Sequence, residues 1–240
     1  QAGGKGQMRL ELSRFIAHRC GGVLAPENTL AGLHAAAAKG FRAVEFDVML
    51  SADGTPVLIH DETLERTTNG IGRVCETPDA VLFSLDAGNG ERIPTLAEAA
   101  ALCRQYGLFA NVEIKPATGH EARTGEVVAA AVQSLWAEAP VPLLSSFSLP
   151  ALACAQSTAP ELPRGLLYEK VPPDWRDDAE RYGAATLHCA AKQVTDSTLA
   201  EAAAAHMPVI CYTVNDPVQA ERLFSRGVSA VFTDRLDLCA

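Results

Sequence analysis

The sequence predicts an α/β fold in which eight parallel strands close into a barrel. Helical stretches alternate with short β-rich runs along the chain, and four helices stop at a glycine just before the next strand. The length, 240 residues, matches the ~250 that eight β/α units take. An open doubly wound sheet is disfavoured because no G-x-G-x-x-G follows the first strand.

In chain order, Arg14–His18 reads as the first strand. Ala31–Lys39 is an alanine-rich helix ending at Gly40, and Ala43–Leu50 is the second strand. Leu96–Tyr106 stops at Gly107 before the strand Phe109–Lys115. The helix Glu121–Trp136 leads to the strand Leu143–Phe147, and the helix Pro150–Thr158 to Gly165–Tyr168. Trp175–Tyr182 stops at Gly183 before Ala185–Cys189, and the helix Asp196–His206 precedes Pro208–Thr213. Pro217–Arg226 stops at Gly227 before Ala230–Thr233. Glycine past a last helical turn accepts the left-handed conformation that closes a helix, which gives these stops a mechanism.

Residues 51–95 break the rhythm. Asp53-Gly54 is a hairpin signal followed by Val57–His60 and a long polar stretch. A segment this long after a barrel strand lies over the active-site mouth, so 51–95 reads as a small inserted cap after strand 2. Residues 8–240 then form one barrel domain. Residues 1–7, small and polar and preceding Met8, read as an appended expression tail outside the fold.

Composition narrows the function classes. Apolar residues are 48% and charged residues 20%, enough to fill a core. Lys and Arg number 20 against 29 Asp and Glu, a net charge of −9. That balance argues against nucleic acid as a partner and against an anionic membrane surface. No run approaches the ~18 apolar residues of a membrane span. The seven cysteines are odd in number and contain no C-x-x-C pair, which suits reduced thiols in a cytoplasm.

The chemistry sits where barrel strands end. In Ala43–Val48 the alternation puts Val44, Phe46 and Val48 toward the helices and Glu45 and Asp47 into the barrel. In Asn111–Lys115, Val112 and Ile114 face outward and Asn111, Glu113 and Lys115 inward. Three converging acids repel, and one would protonate unless a cation is present. All-oxygen donors at Glu45, Asp47 and Glu113 point to Mg²⁺ or Ca²⁺. A network neutralised by Lys115 and Arg19 is the alternative. His18-Arg19 ends the first strand and His60 ends the hairpin. Two rim histidines can remove and deliver a proton, while Arg19 and Lys115 suit phosphoryl oxygens.

His18-Arg19, Ala25–Thr29, Glu45-Phe46-Asp47, His60-Asp61, Val112–Lys115 and Tyr212–Asn215, in that order, resemble the glycerophosphodiester phosphodiesterases, in particular their short cytoplasmic bacterial members. The likeness spans residues 14 to 237. It implies a TIM barrel with an insertion after strand 2. It also implies a divalent metal (Mg²⁺ or Ca²⁺) on Glu45, Asp47 and Glu113, His18 and His60 as the acid–base pair, Arg19 and Lys115 on the phosphate, and Tyr212 at the glycerol end. Substrates would be small glycerophosphodiesters, with sn-glycerol 3-phosphate and an alcohol as products. A homodimer is left open.

One position departs from that family's pattern. Its His-Arg is usually followed by glycine, and here Cys20 follows. The sequence allows a turn shifted one residue onward or an ordinary conformation at Cys20. Asn28 holds the loop after strand one or caps the following helix, and His188, at the end of a strand, reads as structural or as reaching the pocket. Ser146 and Phe147 end the fourth strand and are candidates to line the site. Two rivals to hydrolysis are a Mg²⁺-dependent lyase or aldolase on the same barrel, and an inert barrel that only binds phosphodiesters.

Overall fold

The computed structural model describes residues 10–138 and 140–239; residues 1–7, read as an appended tail, lie outside the described residues. Eight parallel strands form the barrel: β1 (Phe15–Ala17), β2 (Ala43–Leu50), β4 (Phe109–Ile114), β5 (Leu143–Ser146), β6 (Arg164–Leu167), β7 (Ala184–Ala190), β8 (Val209–Tyr212) and β9 (Ala230–Thr233). Each pairs with the next, and pairing of β1 with both β2 and β9 closes the ring. The ninth strand, β3 (Pro56–Leu58), is antiparallel to the far end of β2, with Val48 opposite Leu58.

Helices α1 (Leu30–Ala38), α3 (Leu96–Tyr106), α4 (Glu121–Leu135), α5 (Leu149–Thr158), α6 (Trp175–Arg181), α7 (Asp196–Ala204) and α8 (Pro217–Arg226) follow the strands. Their starts are chemically marked. Thr95 and Glu98 form a reciprocal capping box on α3, and Thr29, Ser148, Thr195 and Asp216 cap α1, α5, α7 and α8 through side-chain oxygens. Gly107 closes α3 at φ 65°, and the predicted stop at Gly227 has φ 111°. Ala43–Leu50, Leu96–Tyr106, Pro217–Arg226 and Ala230–Thr233 fall where the sequence reading put them, and the other element ends shift by at most two residues.

The alternation in β2 and β4 falls as the periodicity requires. Val44, Phe46, Val48, Val112 and Ile114 pack outward in one apolar cluster with α1, α3 and α4, and each is at most 1% exposed. A second cluster joins Leu187, Cys189, Val209 and Cys211 to the later helices, which makes Cys189 and Cys211 core fillers. Inside the barrel, Ile16, Ala43, Leu143, Ile210, Ala230 and Phe232 fill the lower layers. The apolar plug leaves only the upper end of the barrel open for chemistry.

Between β2 and α3 the insertion holds β3, a short helix α2 (Asp79–Leu82) and long irregular stretches. Its Val57, Ile59, Leu64, Val74, Leu82 and Ile93 form an apolar centre of their own, which meets Met49 of β2. That cluster is continuous with the strand end carrying Asp47, so the insertion stands beside the site.

Candidate active site

His18 and Arg19 follow β1, Glu45 and Asp47 lie on β2, Glu113 on β4, Lys115 just past β4, His60 just past β3 and Tyr212 at the end of β8. All eight line one cavity of about 180 Å³ at the C-terminal end of the barrel. The register explains the convergence of the acids: Asp47 is directly opposite Glu113, and Glu45 is two residues below on the same face.

One carboxylate oxygen from each of Glu45, Asp47 and Glu113 lies within 4.8 Å of the other two. Glu45 is 5% exposed and Asp47 2%. Burial, followed by the charges of Asp47 and Glu113, pushes the Glu45 carboxyl well above its ordinary pKa. Glu113 is raised by burial first and then by Asp47. Glu45 Oε1 is buried without a hydrogen-bond partner. An orphaned carboxylate oxygen amid mutually repelling acids is satisfied by a hard divalent cation, whose oxygen-ligand preference this donor set meets. Arg19 only partly neutralises the group: its Nε is 3.8 Å from Asp47 Oδ2, while Nη1 donates to both oxygens of Glu27 at 3.2 Å. A network closed by Arg19 and Lys115 alone would not leave Glu45 Oε1 bare.

Each histidine has a carboxylate on Nδ1. His18 Nδ1 is 2.7 Å from Asp234 Oδ1, and its Nε2 is 3.5 Å from Glu45 Oε2. His60 Nδ1 is 2.7 Å from Asp61 Oδ1. Anchoring Nδ1 fixes the ring and leaves Nε2 for chemistry. Burial lowers the pKa of His60 below its ordinary value, against the opposing pull of Asp47 and Asp61. Burial works to raise Asp234, but the hydrogen bond and charge of His18, with Asn215 and Arg19, together hold it low.

The loop after β1 corrects the expectation for position 20. Neither offered resolution holds: Cys20 keeps φ 76° and Arg19 φ 50°. The reason is the hydrogen bonding around them. Cys20 N–H donates to Glu45 O at 2.8 Å, and Asn28 N–H donates to Arg19 O at 2.9 Å. The left-handed turn has not moved one residue onward, since Gly21 has φ −122°. A left-handed non-glycine residue costs about 1–2 kcal/mol, which this loop bears to aim Arg19.

Asn28 is not the helix cap, a role Thr29 takes. Its Nδ2 donates to Asp47 Oδ2 at 3.1 Å, and its Oδ1 accepts from Asp47 N–H at 3.2 Å, so it holds a site carboxylate directly. Tyr212 contributes its ring, because its hydroxyl donates to Tyr168 O at 2.8 Å. The ring meets Phe147 edge to face at 6.2 Å. His188 is fully buried, with Nε2 2.7 Å from Thr186 Oγ1, and also borders the same cavity. Ser146 donates to Ile114 O and does not line the cavity.

The sequence reading gave no role to Asp234. It ends the last strand at the same rim as His18, so the strand-end rule that found the other residues extends to it. Glu27 and Arg66 carried no such signal, since their pairing depends on how two loops meet. Together these groups bring cationic, imidazole and carboxylate side chains into one cavity, an arrangement that can stabilise charge on a phosphoryl group. Among the described residues no helix is long and apolar enough to cross a membrane.

Comparison with known proteins follows the same direction. The profile of the glycerophosphoryl diester phosphodiesterase family matches residues 18–238. A glycerophosphodiester phosphodiesterase of Caldanaerobacter subterraneus subsp. tengcongensis is 33% identical over 226 residues, 91% of this chain and 93% of that one. A phosphodiesterase of Oleispira antarctica, solved in complex with the product sn-glycerol-3-phosphate, superposes with TM-score 0.88 at 40% identity, covering 93% of this chain and 94% of its own. A glycerophosphodiester phosphodiesterase of Agrobacterium tumefaciens gives TM-score 0.78 at 28% identity, with coverage of 94% and 98%.

Proposed function

Since the chain belongs to the glycerophosphoryl diester phosphodiesterase family, we propose that it hydrolyses glycerophosphodiesters to sn-glycerol 3-phosphate and an alcohol. In this reading His18 and His60 exchange the protons, and Glu45, Asp47 and Glu113 hold a divalent cation, Mg²⁺ or Ca²⁺. The observation that carries it is the meeting, in one cavity, of two Nδ1-anchored histidines with three gathered carboxylates, Glu45 and Asp47 buried and Glu113 partly so. The product held by the Oleispira phosphodiesterase supports the substrate class.

Arg19 and Lys115 bind the phosphate oxygens, the first as a planar fork and the second as a point charge. His60, lowered by burial, is in its neutral form at neutral pH and accepts the proton of the attacking hydroxyl, either the glycerol 2-hydroxyl or water. His18 has a carboxylate facing each ring nitrogen, and it protonates the departing alkoxide. A bound cation would polarise the phosphoryl oxygen and acidify a hydroxyl beside it. Tyr212 and Phe147 supply an apolar wall for the glycerol end. The insertion 51–95 serves as a cap that delivers His60, and the unpaired cysteines suit a cytoplasmic enzyme.

A lyase or aldolase on this barrel would use the acids but leave the His60–Asp61 pair idle. The test is turnover: the protein with glycerophosphocholine should release glycerol 3-phosphate, and a 2-keto acid substrate should be left intact. Cleavage of the keto acid without release of glycerol 3-phosphate would overturn the reading.

A further inference from the structure

We infer that Arg66, carried by the insertion, is a positioning residue that fixes His60 and Arg19 together. Its guanidinium grips two carboxylates at once. Nε donates to Asp61 Oδ2 at 2.7 Å and Nη2 to Asp61 Oδ1 at 2.9 Å. Nη1 donates to Glu27 Oε2 at 3.1 Å and Nη2 to Glu27 Oε1 at 2.7 Å. Asp61 in turn holds His60 Nδ1, and Glu27 accepts from Arg19 Nη1. The result is an unbroken chain, His60–Asp61–Arg66–Glu27–Arg19, joining a proposed proton acceptor on the insertion to a proposed phosphate ligand on the loop after β1.

The chain has an electrostatic logic. Asp61 and Glu27 each face one working group, and without a shared cation they would repel across the gap between the two loops. Arg66 cancels that repulsion and fixes both carboxylates by paired hydrogen bonds, which a lysine ammonium cannot reproduce at two sites. Asp61 is held far below the ordinary carboxylate range, chiefly by Arg66. Burial works to raise Glu27, but Arg66 and Arg19 together hold it low. The insertion does not depend on Arg66 for its fold, because it has its own apolar centre, and the Arg66 side chain is 49% exposed. Its removal therefore loosens the two working groups without unfolding the segment.

This inference rests on the phosphodiesterase reading and is tested by steady-state kinetics on glycerophosphocholine with saturating divalent ion. Arg66→Ala should lower kcat about 10- to 100-fold, the usual loss when an outer partner of a site is deleted, and should raise KM because Arg19 is released. Arg66→Lys should recover only part of the loss. Millimolar guanidinium should restore activity to Arg66→Ala while leaving Asp61→Asn unrepaired. Arg73→Ala, which removes an exposed pair with Glu76 on the same insertion, should match the wild type. Arg66→Ala within twofold of wild type would overturn the inference, as would a loss that guanidinium cannot restore. Wild-type turnover in the same assay reports separately on the phosphodiesterase reading.

Discussion

His18 and Asp234 are separated by 216 residues and joined by a 2.7 Å contact between Nδ1 and Oδ1. The contact spans the seam of the barrel, since His18 follows the first strand and Asp234 follows the last. Closure of the β1–β9 pairing is thus what completes the environment of this histidine. Backbone bonds lock the geometry: His18 N–H donates to Thr233 O at 2.9 Å, and Asp234 N–H donates to Asn215 Oδ1 at 2.8 Å.

Asp234→Asn should therefore lower kcat about 10- to 100-fold with a smaller change in KM, because the amide can hold the ring in the wrong tautomer. Circular dichroism and thermal melting should match the wild type. An unchanged kcat would show that His18 needs no partner.

The pH profile follows from His60. Burial places its pKa below 6.5, so the neutral form persists to more acid pH than a free histidine would allow. The acid limb of kcat/KM should fall at a pH below ~6.5. Asp61 raises the pKa of His60 through its hydrogen bond, so Asp61→Asn should move that limb further down. A limb moving upward in Asp61→Asn would contradict the assignment of His60 as base.

Burial and mutual repulsion raise Glu45 and Glu113 well above the ordinary carboxylate range. The metal-free protein should accordingly retain a proton in the trio at pH values where free carboxylates are ionised. Binding of Mg²⁺ or Ca²⁺ must then expel it. Calorimetric titrations in two buffers of different ionisation enthalpy should give different apparent heats, with the sign of proton release. Glu113→Gln should reduce the difference, and identical heats in both buffers for the wild type would mean no proton is held.

Burial lowers His188 to a pKa of about 3, while an unfolded histidine titrates near ~6.5. The unfolded chain takes up the proton first as pH falls, so the folded state loses stability from about pH 6.5 downward to about 3, by up to about 1.4 kcal/mol per pH unit. Urea midpoints between pH 6.5 and 5 should show this slope, and His188→Gln should flatten it whatever its effect on absolute stability. An equal slope in both proteins would place His188 in contact with solvent.

What could be read from the sequence was what strand periodicity controls. Glu45, Asp47 and Glu113 were legible because alternation leaves a buried carboxylate on a parallel strand only one place to go, into the barrel. The rim positions of His18 and His60 followed from strand ends. The pairing of Arg66 with Glu27 was not legible in the same way, because it depends on contacts between loops that no local pattern encodes, and for Asp234 the strand-end rule reached its position but not its partner across the barrel seam. Cys20 shows a different limit. Its residue type argued against a positive φ, and the hydrogen bonds from Cys20 to Glu45 and from Asn28 to Arg19 overrode that preference. Asn28 stayed open between loop and cap because its side-chain partner, Asp47, lies 19 residues away on β2.

The central claim is that the three gathered carboxylates work by sharing a divalent cation during phosphodiester hydrolysis. The most direct test strips the protein with chelator, assays release of glycerol 3-phosphate from glycerophosphocholine, and then restores Mg²⁺ and Ca²⁺ one at a time. Turnover should vanish on chelation and return with at least one of the two ions in the wild type, but not in Asp47→Asn. Full turnover after thorough chelation would contradict the account.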